Sequence, residues 1–177
     1  MTSRDHIGPP AAGFIIRAAE PGDVDAIALL LAASAEAQGC RDSLCVNAEA
    51  LLRDGFVSRP RFHLLVAESS TGIVGLALYF FTYSTWTSVN GLYLEDLYVD
   101  PGSRRQGIAR ALMAELAGIA VNAGCRRFQW VVLRSNGPAL RFYESLGAEG
   151  AHDWLLMQLR GDGLDRLAAA PRDPLHR

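Results

Sequence analysis

Much that would assign a chemistry outright is missing from this 177-residue chain. Its three cysteines, Cys40, Cys45 and Cys125, are odd in number, with no CxxC pair and no histidine near any of them. That spacing argues against a disulfide framework and against zinc, and reduced thiols in a cytosol are the expectation. His6, His63, His152 and His176 are scattered, so no metal is expected. An excess of one charge is missing too: 17 basic against 19 acidic residues leave a formal charge of −2, which gives no general attraction to nucleic acid or an anionic membrane. The longest aliphatic run, Ala26 to Ala33, is far short of the roughly 20 residues that cross a bilayer. No charged-then-apolar secretory segment is recognisable, and a soluble cytoplasmic protein is expected. Neither GxxxxGK[ST] nor GxGxxG occurs, which removes the commonest nucleotide loops.

What is present is a globular composition, half hydrophobic and one-fifth charged, in a chain long enough for one ordinary domain. The stretch LYLEDLYVDPGSRRQGIARALM, Leu92 to Met113, organises it. Leu92 to Val99 reads as a strand through the core. Asp100, Pro101, Gly102 and Ser103 break the chain. Arg104, Arg105, Gln106 and Gly107 follow, then apolar residues at helical spacing: Ile108, Leu112, Leu116 and Ile119. Strand, basic glycine-bearing turn and helix together form a device for holding phosphates. Free amides and the helix dipole face the anion, arginine adds forked donors, and Gly107 lets the backbone come close.

The rest of the chain alternates in kind. A polar arm is expected over residues 1–13, one domain over 14–167 and a peripheral tail over 168–177. Strands are predicted at Phe14–Ala18, Phe62–Glu68, Ile73–Tyr83, Leu92–Val99, Phe128–Leu133 and Trp154–Leu159. Helices are predicted from Pro21, from Asn47 to Asp54-Gly55, from Arg105 to Ala123, and from Asn136 to Leu146. Ser69-Ser70-Thr71-Gly72 reads as a hairpin turn. The order predicts an α/β fold with a mixed sheet, antiparallel where hairpins join strands and parallel across helices.

Arg104-Arg105-Gln106-Gly107-Ile108-Ala109 resembles the [R/Q]xxGxG/A pyrophosphate loop of the GCN5-related N-acetyltransferases (GNAT). Asn136, Ala139, Phe142, Tyr143 and Gly147 are similar to that family's NxxAxxFYxxxGF-like motif. Ala77 to Trp86 and Leu92 to Val99 resemble its diamine (spermidine/spermine) and thialysine branch, as do Leu51 to Phe56 and Trp154. The likeness runs from about Phe14 to Leu167. It implies the GNAT fold, a mixed central sheet with a splayed cofactor strand flanked by helices, and acetyl-CoA as co-substrate. It implies that Leu97, Tyr98 and Val99 pair with the pantetheine arm. The amides from Arg105 through Gln106, Gly107, Ile108 and Ala109 to Arg110 would hold the diphosphate, with help from the Arg104 side chain, and Asn136 would bond the cofactor's amide. The branch further implies a homodimer and a small-molecule amine as acceptor.

Direct attack by a lysine-like amine requires removal of a proton whose pKa is near 10.4, which at pH 7 costs about 4.6 kcal/mol. Glu95 and Asp96 are the candidate base and its neighbour, with Glu95 first; as consecutive strand residues they are expected on opposite faces. Tyr143 matches the family's general acid, the Val99 N–H is the candidate oxyanion donor, and Trp86 by position would line the acceptor pocket. Other features depart from the polyamine enzymes. Ala35 to Ser43 lacks an aromatic, Ser84 replaces an acidic residue, Ala109 stands where glycine is common, and Ser135 where tryptophan is. The first two losses favour a small diamine or an amino-acid side chain over spermidine or spermine. A non-catalytic acyl-CoA sensor and a protein acetyltransferase remain as alternatives.

Overall fold

The computed structural model describes residues 13–151 and 153–170, so most of the expected arm and tail lies outside the described residues. The chain divides into two compact units, the first ending at Val131 and the second beginning at Val132. The first holds β1 (Phe14–Ala18), α1 (Val24–Ala37), α2 (Ala48–Gly55), β2 (His63–Ser69), β3 (Gly72–Ser84), β4 (Val89–Val99), α3 (Ile108–Asn122) and β5 (Phe128–Gln129). The second holds α4 (Gly137–Glu144) and α5 (Asp162–Ala169).

The five strands form one sheet in chain order, antiparallel from β1 to β4 and parallel between β4 and β5. Alternation along the strands divides their side chains between two faces. Leu64, Val66, Leu76, Leu78 and Tyr98 meet Val24, Ile27, Leu30, Leu31 of α1 and Leu51 of α2. Leu65, Ala77, Tyr79, Leu92, Leu94 and Val99 are buried on the other face, against which α3 packs with Ile108, Leu112, Met113 and Leu116. A sheet covered on both sides accounts for the long apolar strand sequences.

The polar groups that anchor these layers are few and specific. Arg17 on β1 donates from Nη1 and Nη2 to the Asp23 carboxylate (2.7 and 2.9 Å) and from Nε to Glu68 on β2 (2.7 Å). One fork thereby joins β1 and β2 to the start of α1 and holds the Asp23 carboxyl below the usual range. The Asn47 side chain accepts from the Ala50 N–H (2.9 Å) and starts α2.

Several elements differ from the sequence expectation. The helix expected from Arg105 starts at Ile108, because Arg105 (φ 62°) and Gly107 (φ 85°) are both left-handed and hold the turn open for three more residues. Gly55 is the last residue of α2 and stays outside the left-handed region; its missing Cβ admits the Phe62 ring, which would lie 2.6 Å from that atom. β5 has two residues where six were expected, and Trp154–Leu159 forms no strand. Both segments are apolar enough for a sheet. Composition reports fit to a pleated surface, however, and a ladder also needs a neighbouring edge in register.

Gly75 decides how close α3 comes to the sheet. A Cβ there would stand 3.2 Å from Ile108 Cγ2, 3.2 Å from the Tyr98 carbonyl oxygen and 3.4 Å from Val99 Cγ2. The start of α3 is thus seated against the end of β4 by the absence of a side chain. Gly75→Val should cost about 1–3 kcal/mol through overpacking, read as a lower urea midpoint with an unchanged m-value.

Candidate active site

β4 is hydrogen-bonded along its length to β3 but meets β5 only at Leu92 and Tyr93. From Leu94 onward no described strand pairs with its second edge. The Asp100 N–H donates to the Val74 carbonyl of β3 (2.9 Å), so the alternation of an antiparallel ladder aims the N–H and C=O of Val99 and of Leu97 toward that open edge. Tyr98 is buried in the α1 core, which holds the strand while its edge stays unpaired.

The turn after Val99 continues the same surface. Asp100 accepts from the Gly102 N–H (2.9 Å) and starts a single 3-10 turn, Pro101–Ser103. Arg104 donates from Nε to the Val99 carbonyl (3.0 Å), and its guanidinium carbon stands 5.7 Å over the Tyr98 ring. That arginine braces the strand end with one N–H, and its two terminal nitrogens make no hydrogen bond among the described residues. Across Arg105, Gln106, Gly107, Ile108 and Ala109 no backbone amide donates within the described residues; the first helical bond is from Ala111 N–H to the Gly107 carbonyl. No side chain caps α3, and a Cβ on Gly107 would meet nothing within 4 Å. Arg105 and Gln106 are exposed beside these amides, as is Arg110 one turn on. Uncapped amides, an open backbone and an arginine-rich rim fit a diphosphate.

The carboxylates are arranged differently from the expectation. Leu78 pairs with Asp96 and Tyr79 with Leu94, so Glu95 is an extra residue, a β-bulge in β4. Phe80 pairs with Tyr93, which places Tyr93 on the α1 face with Phe80 and Leu78. The bulge resets the parity, so Glu95 and Asp96 both fall on that face, where strict alternation would have separated them. Their electrostatics agree. Burial, and then the charge of Glu95, pushes the Asp96 carboxyl up to about 6; burial and the same charge raise the Tyr93 phenol. All 17 basic residues of the chain are arginine, and among the described residues none lies within ion-pair distance of Glu95 or Asp96. Among the described residues the pair is an anionic site uncompensated by any ion pair.

Other candidates lie elsewhere. Trp86 sits in the β3–β4 turn, 88% exposed. It lies beyond the Ser84–Val89 pair and so six β3 positions from the Asp96 pair, roughly 20 Å along the strand. Within one chain it is not brought to the carboxylates. Asn136 and Tyr143 belong to the second unit. The Asn136 side chain accepts from the Ala139 N–H (3.2 Å) and caps α4, which leaves its amide nitrogen as donor. Tyr143 lies on the last turn of α4, half-buried, and burial raises its phenol above the ordinary value. Among the described residues no three His, Cys, Asp or Glu side chains are placed to hold a metal, and no helix is long and apolar enough to cross a membrane.

Sequence reasoning missed the bulge and the Tyr93–Phe80 pair. The signal was there: aliphatic residues stand at 92 and 94 and then at 97 and 99, a phase slip of one residue across Glu95-Asp96.

Comparison with known proteins identifies the family and the fold. The acetyltransferase (GNAT) family matches residues 29–148. A thialysine N-epsilon-acetyltransferase of Sus scrofa is 38% identical over 168 residues, covering 89% of this chain and 98% of its own. A human spermidine/spermine N(1)-acetyltransferase-like protein 1 is 37% identical over 142 residues, 76% of this chain and 20% of that protein. A Vibrio cholerae integron cassette protein shares the fold, with a TM-score of 0.73 at 22% identity, over 89% of this chain and 99% of its own. The chain belongs to the GNAT family and is an acetyltransferase.

The raised carboxyl of Asp96 carries a signature in stability. A folded-state pKa above the unfolded value means that the folded protein binds the proton more tightly, so stability falls as pH rises from about 4 to about 6. The shift from 3.8 to about 6 corresponds to about 3 kcal/mol. Asp96→Asn should therefore gain stability over the parent between pH 4 and 7, up to about that amount, when urea midpoints are compared at each pH.

Proposed function

We propose that this acetyltransferase moves the acetyl group of acetyl-CoA to the primary amine of a small molecule, a short diamine or a lysine-like amino acid. The single observation that carries the reading is the continuity of one surface: an unpaired strand edge running into uncapped helix amides, with an uncompensated carboxylate pair beside it. Residues 14–167 would act as one catalytic domain. The relatives named for thialysine and for spermidine/spermine supply the substrate class, since both names specify alkyl amines.

When bound, acetyl-CoA supplies a reactive thioester. Leu97 and Val99, whose peptide groups face the open edge, would pair with the pantetheine arm, Tyr98 anchoring the strand between them. The amides from Arg105 to Arg110, with Arg104, would take the diphosphate. Asn136 would donate from its free amide group to the cofactor. The Val99 N–H would stabilise the oxygen on which charge develops. Glu95, exposed and flanked by a second carboxylate, would accept the amine's proton directly or through water, while Asp96 holds the ammonium before that transfer. Tyr143 would protonate the departing thiolate, and its raised phenol keeps that proton at neutral pH. The chain has no lysine, so it offers the reaction no ε-amine of its own.

This reading extends to a homodimer in the cytoplasm. Within the second unit, Trp154, Leu155, Leu156 and Met157 are 63–78% exposed, an apolar stretch that association would cover.

A thiol-release assay with acetyl-CoA over diamines, polyamines, lysine analogues and aminoglycosides tests the reading. Turnover is expected with short diamines or lysine-like amines, and Glu95→Gln should lower kcat by about 10²-fold, with Tyr143→Phe also impaired. Full rates in both variants would remove those roles. Absence of turnover with every amine would remove the enzyme reading in favour of acyl-CoA binding alone.

A further inference from the structure

The consequence of the bulge reaches beyond the two carboxylates. It places Tyr93, Glu95 and Asp96 on one face, although strict alternation would set Asp96 opposite Tyr93. Tyr93 stacks on Phe80, ring centroids 5.1 Å apart and planes inclined by 26°. Tyr93 is half-buried, so its position is set while part of its surface remains accessible. Burial, and then the charge of Glu95, raises both the Tyr93 phenol and the Asp96 carboxyl. A stacked aromatic pair beside two carboxylates that no cation pairs with among the described residues is suited to a ligand with an ammonium end and an aliphatic body. The carboxylates take the charge, and the ring takes the methylenes behind it.

We infer that Tyr93, held by Phe80, is a specificity residue of the acceptor subsite, reading the alkyl chain behind the amine that Glu95 and Asp96 bind. This rests on the amine-acetylating reading above. The bulge is its structural cause, because without the extra residue the aromatic pair and Asp96 would face different layers of the fold. An acceptor with a three- to six-carbon chain would then be favoured over a bare small amine by its contact with the ring, independently of the proton transfer at Glu95. The ring and not the hydroxyl carries the effect.

Equilibrium binding to the CoA-loaded protein tests this, using 1,4-diaminobutane and methylamine as probes in calorimetry. Tyr93→Ala should weaken 1,4-diaminobutane by about tenfold and leave methylamine unchanged, whereas Tyr93→Phe should bind both as the parent does. Tyr93→Leu keeps an apolar side chain against Phe80 and guards against loss of fold; it should still lose preference for the longer amine. In turnover the same variants should raise KM for the diamine with kcat within about twofold, in contrast to Glu95→Gln, whose loss is in kcat. Equal weakening of both probes in Tyr93→Leu, or no change in either, would overturn the inference. Should the parent bind 1,4-diaminobutane without acetylating it, the enzyme reading fails while the binding comparison still decides the role of Tyr93. Should it acetylate the diamine while Tyr93→Leu binds both probes as the parent does, the role of Tyr93 fails alone.

Discussion

One strand with a partner on one side and, for most of its length, none on the other sets the terms for this protein. β4 shares its ladder with β3 throughout and with β5 for two residues. A backbone edge left unpaired in a protein is a cost or a binding surface. Here the edge ends in a turn that likewise leaves its amides unpaired, so two costs of the same kind adjoin along one chain segment. A ligand with an extended amide-bearing arm and a diphosphate would meet both.

The surroundings hold that segment in place without closing it. Tyr98 is buried under α1, Gly75 lets Ile108 approach the end of β4, and Arg104 ties the turn back to the Val99 carbonyl. Rigidity comes from packing on the two faces of the sheet, while the edge leaves backbone groups unpaired and the bulge sets two carboxylates on one face. A second irregularity, the left-handed Arg105 and Gly107, delays the helix and presents its first amides outward. Arg105, a non-glycine residue in that region, persists there where neighbouring structure compels it.

The bulge changes what two adjacent acidic residues can do. On an unbroken strand, Glu95 and Asp96 would serve different layers of the fold. With Glu95 as the extra residue they share a face with Tyr93 and Phe80, and their mutual repulsion, added to burial, raises Asp96 toward neutrality. An alkyl ammonium placed there would relieve that repulsion, which gives the site a preference for cations before any hydrogen bond is counted. The absence of lysine, and of any arginine within ion-pair distance among the described residues, keeps the pair available.

Local signals in the chain itself determined much of the design: the α/β order, the hairpin at Ser69–Gly72, the Asn47 and Asn136 caps, the glycines past α3 and α4, and the strand–turn–helix carrying Arg104 to Ala109. Each depends on residues a few positions apart, whose propensities and hydrogen bonds are decided within the segment. Tertiary structure alone decided where β4 loses its second partner, how short β5 is, that Trp154–Leu159 takes no place in the sheet, and where Trp86 stands relative to the carboxylates. Those depend on pairing register between distant segments, and a strand's sequence tells which side chains alternate but not which neighbour will accept its hydrogen bonds.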